Sequence, residues 1–324
     1  MEAPGKLPPL PALRTFEAAA RLGSYTRAAG ELNVTHSAVS HQIKALEAQL
    51  GMPLFAREGR AVVLTPAGEE LLPAVNGALR QLADALAGLR HRINPLRLSV
   101  SVMPSFAGRW LAPRLVAFLD ANPGCELNVL SSDAIADFAR DGVDVAIRWG
   151  FGNYPGLRTE LLMDDVLFPV MAPDFAGGIP SLPAGLAGLP LIRSVGEDWQ
   201  HWFRAAGLDW PEPASGLALS DSGVVVQAAI DGQGVALARR SLAMRALREG
   251  RLVKPFGIEV PLEYGPGQFV SAAAGLDAHG RPQRWRYWLV RPERQTETPL
   301  LQRFVAWLRQ EVEADLAPYS SEHG

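Results

Sequence analysis

The chain has 324 residues, of which 48% are hydrophobic and 20% charged, and its formal net charge is −3 at pH 7. This composition predicts two or three folded domains and excludes a disordered or fibrous chain. The single cysteine, Cys125, excludes an intrachain disulfide framework and favours a reducing compartment. We expect a cytoplasmic protein without membrane association, because no apolar stretch approaches the roughly 20 residues that span a bilayer and the first residues lack a signal core.

Residues 24–51 predict two short helices separated by a tight turn. Ser24 can cap the first helix, and Asn33 and Val34 interrupt it. Thr35 can cap the second helix, which Gly51 ends. Four apolar residues of the second helix recur at the spacing of one buried face, namely Val39, Ile43, Leu46 and Leu50.

The opposite face of the second helix is polar. Its side chains have the length and hydrogen-bonding groups to reach base edges or phosphates from a major groove. Taken alone, such a face is usually a solvated surface. The candidate DNA-contacting residues on the two helices are Ser24, Thr26, Arg27, Thr35, His36, Ser37, Ser40, His41 and Lys44.

Two short strands, at residues 54–56 and 61–64, follow the helices. The turn between them presents Arg57 and Arg60, two cations suited to a phosphate backbone or a minor groove. Residues 1–66 hold seven Lys or Arg and five Glu, a net charge of +2, so residues 67–324 carry −5. The combination of helix, turn, helix and basic wing favours a DNA-reading module over a solvated surface.

A long helix is predicted from Thr65 and Pro66 to about residue 92, with a bend at Pro73. Apolar residues recur along it at alternating steps of three and four, as in a coiled coil. The stripe can pack on its own domain, but its position between the module and the rest of the chain favours dimerisation. Two recognition helices about 34 Å apart reach two major-groove half-sites. The seam consists of Leu72, Val75, Leu79, Leu82, Leu86 and Leu89.

From residue 96 onward, β-rich segments alternate with helical ones, which is typical of parallel α/β architecture. The predicted strands are residues 96–102, 126–130, 144–149 and 166–172, and the predicted helices are 110–121, 132–142 and 222–232. A last helix is expected after a Thr298 cap.

Ser105 comes after the predicted strand 96–102, Ser222 comes after a short predicted strand at residues 217–221, and each serine precedes a helix. Open parallel sheets bind ligands at the carboxyl ends of their strands, where helix N-termini offer free N–H groups. Two such serines suit a small anionic ligand, although each can equally serve only as a helix cap.

The N-terminal motifs LPALRTFEAAAR and TRAAGELNVTHSAVSHQIKALE resemble the LysR-type transcriptional regulators, in particular the subgroup of the glycine-cleavage activator and the β-lactamase regulator. Weaker similarity continues in PSFAGRWLAPRL, DGVDVAIRWGFGNYPGLR and VVQAAIDGQGVALA. The resemblance implies an α/β protein with an N-terminal winged helix-turn-helix, a long linker helix and a periplasmic-binding-protein-like effector domain. The implied domains are residues 1–66, 67–92 and 93–316, with subdomain I at about 95–163 and 267–312 and subdomain II at about 164–266.

The resemblance also implies an effector cleft between the subdomains. Asp137 suits an amine or amide of the ligand, and Arg148 suits a carboxylate unless it neutralises Asp144 or Asp137. These properties favour an amino acid or a peptide-like effector. A Gly-, Ala- and Pro-rich stretch, residues 261–283, departs from the family pattern just before one of the cleft positions. The candidate cleft residues are Ser105, Phe106, Asp137, Arg148, Ser222 and Tyr287.

The function implied is that of a promoter-binding regulator that acts as a homodimer or as a tetramer of two linker-helix dimers. Effector binding would change the angle between subunits, the DNA bend and the contact with RNA polymerase. The alternative is a regulator controlled by a protein partner, without a metabolite ligand. An enzyme is not expected, and neither is a cofactor or a metal, because the GxSxG, HExxH, Walker and GxGxxG motifs are missing and the six histidines are scattered.

Overall fold

The computed structural model describes residues 7–58, 61–136, 138–262, 284–293 and 297–316, and the chain divides into two units, Met1–Leu89 and Arg90–Gly324. The described part of the chain contains no helix that is both long and apolar enough to cross a membrane.

The N-terminal unit is built from short helices and one antiparallel hairpin. Its elements are α1 (Leu10–Leu22), α2 (Tyr25–Leu32), α3 (His36–Leu50), β1 (Phe55–Glu58), β2 (Ala61–Leu64) and most of α4 (Pro66–Ile93). A core that includes Phe16, Ala28, Val39 and Ile43 holds the first three helices together. The predicted helix-turn-helix and hairpin are therefore present, although β1 begins one residue later and ends two residues later than predicted.

The predicted caps form the turns of this unit. The Ser24 hydroxyl accepts the N–H of Arg27, and the Thr35 hydroxyl accepts the N–H of Ala38. Asn33 adopts a positive φ of 54° in the turn between α2 and α3. The prediction that Leu50 is buried is wrong, because it is the last residue of α3, beyond the part that packs on the core, and is 36% exposed.

Helix α4 begins as predicted, since the Thr65 hydroxyl accepts the N–H of Gly68. The first half of the apolar seam packs on the core of its own unit, through Leu72, Val75 and Leu79. In that half the apolar stripe therefore packs on its own domain, which was the alternative to dimerisation, because the first turns of α4 cover the helix-turn-helix core. Farther along, Leu82 and Leu86 are 50% and 56% exposed. The side chain of Leu89 lies outside the described residues.

Two five-stranded sheets organise the C-terminal unit. The strands of the first are β3 (Arg97–Val102), β4 (Glu126–Ser131), β5 (Val145–Gly150), β6 (Leu157–Met163) and β12 (Arg286–Pro292), in the order β4-β3-β5-β12-β6. The strands of the second are β7 (Val166–Val170), β8 (Leu191–Ser194), β9 (Ala218–Leu219), β10 (Val235–Arg239) and β11 (Val260–Pro261), in the order β11-β7-β10-β8-β9.

The predicted α/β fold is confirmed, and its sheets are mixed, because parallel pairs occur beside antiparallel ones. Strand β3 is parallel to β4 and β5, whereas β12 is antiparallel to β5 and β6, and β10 is antiparallel to β7. The antiparallel pairs form because the chain passes from one sheet to the other between Met163 and Val166 and returns before β12. Most of that return lies outside the described residues, as does most of the unusual stretch 261–283.

The helices of this unit are α5 (Pro104–Phe106), a π-helical turn (Ala107–Leu111), 3₁₀ turns (Ala112–Arg114 and Pro183–Leu186), α6 (Leu115–Ala121), α7 (Phe138–Asp141), α8 (Trp199–Ala205), α9 (Ser222–Ile230), α10 (Arg240–Arg248) and α11 (Pro299–Leu316). The predicted cap and inward face of α11 are confirmed, because Thr298 accepts the N–H of Leu301 and five apolar positions are buried: Leu301, Phe304, Val305, Leu308 and Val312.

Two predicted helices are different in the structure. The segment 132–142 is helical only over Phe138–Asp141, since the N–H of Ser132 extends the ladder of β3 and the Ser132 hydroxyl accepts the N–H of Ala134. Such local side-chain bonds compete with a helix. The segment 110–121 is divided into π, 3₁₀ and α turns, with Pro113, which has no N–H to donate, inside the 3₁₀ turn.

Candidate nucleic-acid interface and effector site

The outer face of α3 carries the predicted DNA-contacting groups on one solvent-facing surface. Ser40 is half-buried, whereas the other predicted positions here are exposed: Thr35, His36, Ser37, His41 and Lys44. Because Val39, Ile43 and Leu46 are buried on the opposite side, the helix is held by its apolar face and its polar face is left free. This is the geometry that a helix needs to enter a major groove.

The wing is held against α3 by Glu47, which sequence reasoning missed. One carboxylate oxygen of Glu47 accepts the N–H groups of Leu54 and Phe55 at 2.8 and 3.2 Å. The ring of Phe55 also meets the ring of Tyr25 edge-on at 5.6 Å. Glu47 is the only acidic residue in α3, and that isolation was the signal available in the sequence.

The remaining predicted DNA contacts lie around this surface. Ser24 is half-buried as the cap of α2, Thr26 is exposed, and the exposed Arg27 donates to the carbonyl of Leu22. Arg57 lies in β1, but its side chain is outside the described residues, as is the whole of Arg60.

In the C-terminal unit, four of the predicted cleft residues converge where the two sheets meet. The ring of Phe106 lies 4.5 Å from the ring of Tyr287. Gly223, next to Ser222, packs closely on Ser105. A Cβ atom added to Gly223 would lie 3.2 Å from the Cα and Cβ atoms of Ser105. The N-terminal ends of α5 and α9 are therefore in direct contact.

A buried guanidinium links these residues, and sequence reasoning did not identify it. Arg239, at the end of β10, donates from Nε to Glu197 at 2.6 Å, from Nη1 to the Tyr287 hydroxyl at 2.8 Å and from Nη2 to the Ser222 hydroxyl at 2.5 Å. Ser222 in turn donates to the same Glu197 oxygen at 2.8 Å. The guanidinium also lies 4.7 Å from the centre of the Trp149 ring. We call Glu197, Ser222, Arg239 and Tyr287 the junction network.

Asp165 adjoins the junction network. Its carboxylate accepts the hydroxyl of Ser241 at 2.5 Å and the N–H groups of Ser241 and Val166 at 3.2 and 2.9 Å. Burial raises the pKa of Asp165 to about 6, against the opposing effect of the hydrogen bonds and the nearby Arg239. Burial also raises the pKa of the Tyr287 hydroxyl, so that Tyr287 stays a neutral partner of Arg239.

The structure gives the hydrogen-bond partners of Ser222 and Arg148, and it excludes only the alternative that Ser222 serves as a helix cap. Asp221, not Ser222, caps α9 by accepting the N–H of Val224 at 2.9 Å, and this releases the Ser222 hydroxyl for the junction network. Arg148 is buried and donates to Ser101 and to the carbonyls of Ile147 and Ala134, and burial lowers its pKa.

Asp144, one of the two carboxylates that Arg148 could neutralise, accepts the N–H of Ser99 at 2.7 Å, and this bond joins β3 to the start of β5. Asp137, the other expected partner, lies outside the described residues.

Two further arginines connect the halves of the C-terminal unit. Arg109, in the π-helical turn, donates to the carbonyl of Gly223 and to the side chain of Gln227 in α9. Arg248, in α10, pairs at 2.8 Å with Asp315 in α11. These contacts hold the second sheet and its helices against the first.

A winged helix-turn-helix with a free recognition face, followed by a two-sheet domain with polar groups at its junction, defines a ligand-responsive DNA-binding regulator. Residues 10–69 match the bacterial regulatory helix-turn-helix protein of the lysR family, and residues 94–313 match the LysR substrate binding domain. The chain belongs to the LysR family of transcriptional regulators.

Its relatives confirm the resemblance to one subgroup. The chain is 45% identical to the glycine cleavage system transcriptional activator of Escherichia coli strain K12 over 254 residues, which cover 78% of this chain and 83% of that protein. It is 35% identical to the HTH-type transcriptional activator AmpR of Citrobacter freundii over 302 residues, 93% of this chain and 96% of AmpR.

A solved structure supports the fold of the C-terminal unit. The effector domain of the transcriptional regulator AmpR of Pseudomonas aeruginosa is 28% identical, covers 68% of this chain and 96% of its own length, and gives a TM-score of 0.52.

Proposed function

We propose that α3 reads promoter DNA through Ser37, Ser40 and His41, with Lys44 contacting a phosphate. The observation that carries this proposal is the separation of faces in α3, whose apolar side is buried while its hydrogen-bonding side is exposed. Side chains on the exposed face select bases, whereas a lysine contact to phosphate is independent of sequence. The backbone of the duplex would pass the start of α3 at Thr35 and His36. It would also pass α2 at Ser24, Thr26 and Arg27. Arg57 and Arg60 of the wing would contact the backbone or a minor groove.

Binding to a DNA site selected from random sequence tests the proposal. Lys44→Ala, and equally Arg60→Ala, is expected to weaken binding to all sequences alike and to reduce the slope of log affinity against log salt by about one. Ser37→Ala and His41→Ala are expected to change the preferred bases. Lys254→Ala is the control, because Lys254 pairs with Glu259 in the other unit and carries the same charge. Equal affinities of the Lys44 and Lys254 variants would disprove the role of α3.

We also propose that the junction of the two sheets holds the effector, with Ser105, Phe106, Arg148, Ser222 and Tyr287 lining its site. The junction is filled by charged and hydroxyl side chains, which favours a small polar molecule over the apolar contact of a protein partner. An amino acid and a peptide-like molecule both carry charges that the charged and hydroxyl side chains of the junction can bind. Loss of a ligand-induced thermal shift in Ser105→Ala and Ser222→Ala variants tests this assignment.

We infer that the regulator acts as an oligomer, because Leu82 and Leu86 in the second half of the α4 seam are exposed. We propose a tetramer of two dimers, in which the exposed second half of the α4 seam joins the two subunits of each dimer. The tetramer would contact RNA polymerase in the cytoplasm and have no catalytic activity. The proposed domains are residues 1–66, 67–92 and 93–316, with subdomains divided where the chain passes between the two sheets. Effector binding would change the relative angle of the subunits and thereby the bend of the DNA.

A further inference from the structure

We propose that Glu197 and Arg239 form a charge-recognition pair for a zwitterionic α-amino acid, whose ammonium group binds Glu197 and whose carboxylate binds Arg239. The inference rests on the proposed effector site at the junction and specifies its ligand class. It replaces the sequence-based expectation that Asp137 and Arg148 supply these two charges.

The first observation is an unused acceptor. Glu197 is only 4% exposed, and its Oε1 atom takes the hydrogen bonds from Arg239 and Ser222, whereas its buried Oε2 atom has no hydrogen-bond partner among the residues that the structure describes. Leaving a buried charged acceptor unpaired is costly, and native proteins rarely do so without a reason. The backbone of Ser194 forms an isolated β-bridge with the backbone of Glu197. The buried hydroxyl oxygen of Ser194 also has no hydrogen-bond partner among the described residues.

Unpaired oxygens of this kind suit a cation that carries several donors. An ammonium group has three N–H donors and no acceptor, so it can use Glu197 Oε2 without leaving a mismatched group. A neutral amide or hydroxyl supplies fewer donors and no charge. The acceptors at this end of the junction therefore indicate an amine of the ligand.

The second observation is the unused capacity of Arg239. A guanidinium has five N–H donors, and three of them are bonded to Glu197, Tyr287 and Ser222. Among the described contacts, one N–H on each of the two terminal nitrogens is left, and two such donors can bind a carboxylate in a bidentate manner. Tyr287 and Ser222 hold the plane of the guanidinium, so its free edge is fixed in direction.

A zwitterion fits because the two charges already neutralise each other. Separating a buried ion pair for a ligand with one charge would leave the other charge unpaired, at a large cost. A ligand that carries both charges can bind Glu197 Oε2 and the remaining N–H groups of Arg239 while the ion pair stays intact. Since the two side chains are in contact at 2.6 Å, the charges of the ligand must be close together, as in an α-amino acid and not as at the two ends of a peptide.

The experiment is a thermal shift assay of the full chain with each of the twenty L-amino acids, followed by calorimetry of the best binder. We expect at least one amino acid to raise Tm with increasing concentration. Its deaminated and decarboxylated analogues, each with one charge, are expected to bind at least about tenfold more weakly.

Variants assign the two charges. Glu197→Gln keeps the shape of the side chain and is expected to weaken amino-acid binding at least about tenfold, as is Arg239→Lys, which loses the bidentate edge. Glu259→Gln is the matched control, because Glu259 pairs with Arg240 and Lys254 in the same unit but outside the junction network. It is expected to bind as the wild type does.

The proposal is overturned if no amino acid shifts Tm, if a one-charge analogue binds as well as the amino acid, or if Glu197→Gln behaves like Glu259→Gln. The analogue comparison uses only the wild-type chain, so it decides the matter even if a charge variant does not fold. If a one-charge compound binds and Ser222→Ala abolishes its binding, the effector site stands and the zwitterion is excluded. The DNA-binding proposal is tested independently by Lys44→Ala.

Discussion

The hydroxyl of Tyr287 accepts a 2.8 Å hydrogen bond from Arg239, and this contact joins β12 of one sheet to the end of β10 in the other. Both residues are buried, at 0% and 4% exposure. The contact ties the proposed effector site to the stability of the C-terminal unit, because a buried guanidinium that loses an acceptor leaves a donor unsatisfied.

Tyr287→Phe is therefore expected to lower the free energy of unfolding of the C-terminal unit by about 1–3 kcal/mol. Urea unfolding followed by tryptophan fluorescence measures this unit alone, since all eight tryptophans lie beyond residue 90. Tyr154→Phe, which removes a half-buried hydroxyl outside the junction network, is the control. Equal unfolding midpoints for the two variants would show that the Arg239 contact contributes nothing.

Gly223→Ala is expected to destabilise the contact between α5 and α9. The added Cβ would lie 3.0 Å from Asp221 Oδ1 and 3.2 Å from the Cα and Cβ of Ser105, so either the α9 cap or the Ser105 segment must move. We expect a cost of about 1–3 kcal/mol, as is usual for overpacking, measured by the same unfolding assay. Gly108→Ala is the matched control, because no atom lies within 4 Å of its added Cβ. A Gly223 variant as stable as the Gly108 variant would contradict the close packing.

The stability contributed by Asp165 is expected to fall as the pH rises. Its pKa is raised from 3.8 in the unfolded chain to about 6 in the fold, so the folded protein holds this proton more tightly. The contribution is therefore complete below about pH 4 and is lost as the pH rises to about 6. Relative to Asp165→Asn, the free energy of unfolding should fall by up to roughly 3 kcal/mol across that range and stay level above it. Parallel pH profiles for the two proteins would refute the raised pKa.

Glu47→Ala is expected to loosen the wing, because Leu54 and Phe55 lose the acceptor of their N–H groups. Their amide hydrogens should then exchange faster, by the equivalent of about 1–3 kcal/mol, while the buried amides of α1 keep their protection. Glu17→Ala, which breaks an ion pair with the partly exposed Arg21, is the control and should change little. Unchanged exchange rates of the Leu54 and Phe55 amides would show that Glu47 does not position the wing.

The combined substitution of Leu82 and Leu86 by Glu is expected to dissociate the oligomer. These side chains are 50% and 56% exposed on α4, and glutamates there would place charges in an apolar contact between subunits. Sedimentation measures the mass, which should decrease, while Gln81→Glu, which adds one charge on the same helix, should leave it unchanged. An unaltered mass in the double variant would place the oligomer contact elsewhere.

Local patterns were sufficient for the helix caps of the N-terminal unit. Ser24, Thr35 and Thr65 cap the predicted helices because a cap depends on a hydroxyl and the N–H groups only two or three residues beyond it. The same local reasoning failed for segment 132–142, where the backbone of Ser132 pairs with a distant strand. It also failed for the first half of the α4 seam, whose periodicity is the same whether the partner is a second subunit or its own core.

What the sequence by itself determined is the architecture and the reading surface: the winged helix-turn-helix, the linker helix, the α/β character of the remainder and the polar face of α3. Those follow from interactions between residues close in the chain and from motifs shared by the family. Only the tertiary structure decided the chemistry of the junction, where Asp165, Glu197, Arg239 and Tyr287 come from four separated segments. The spacing of these residues in the sequence does not predict their contact, because each of them is placed by a different strand or turn. Their polar groups meet only after the two sheets have packed together.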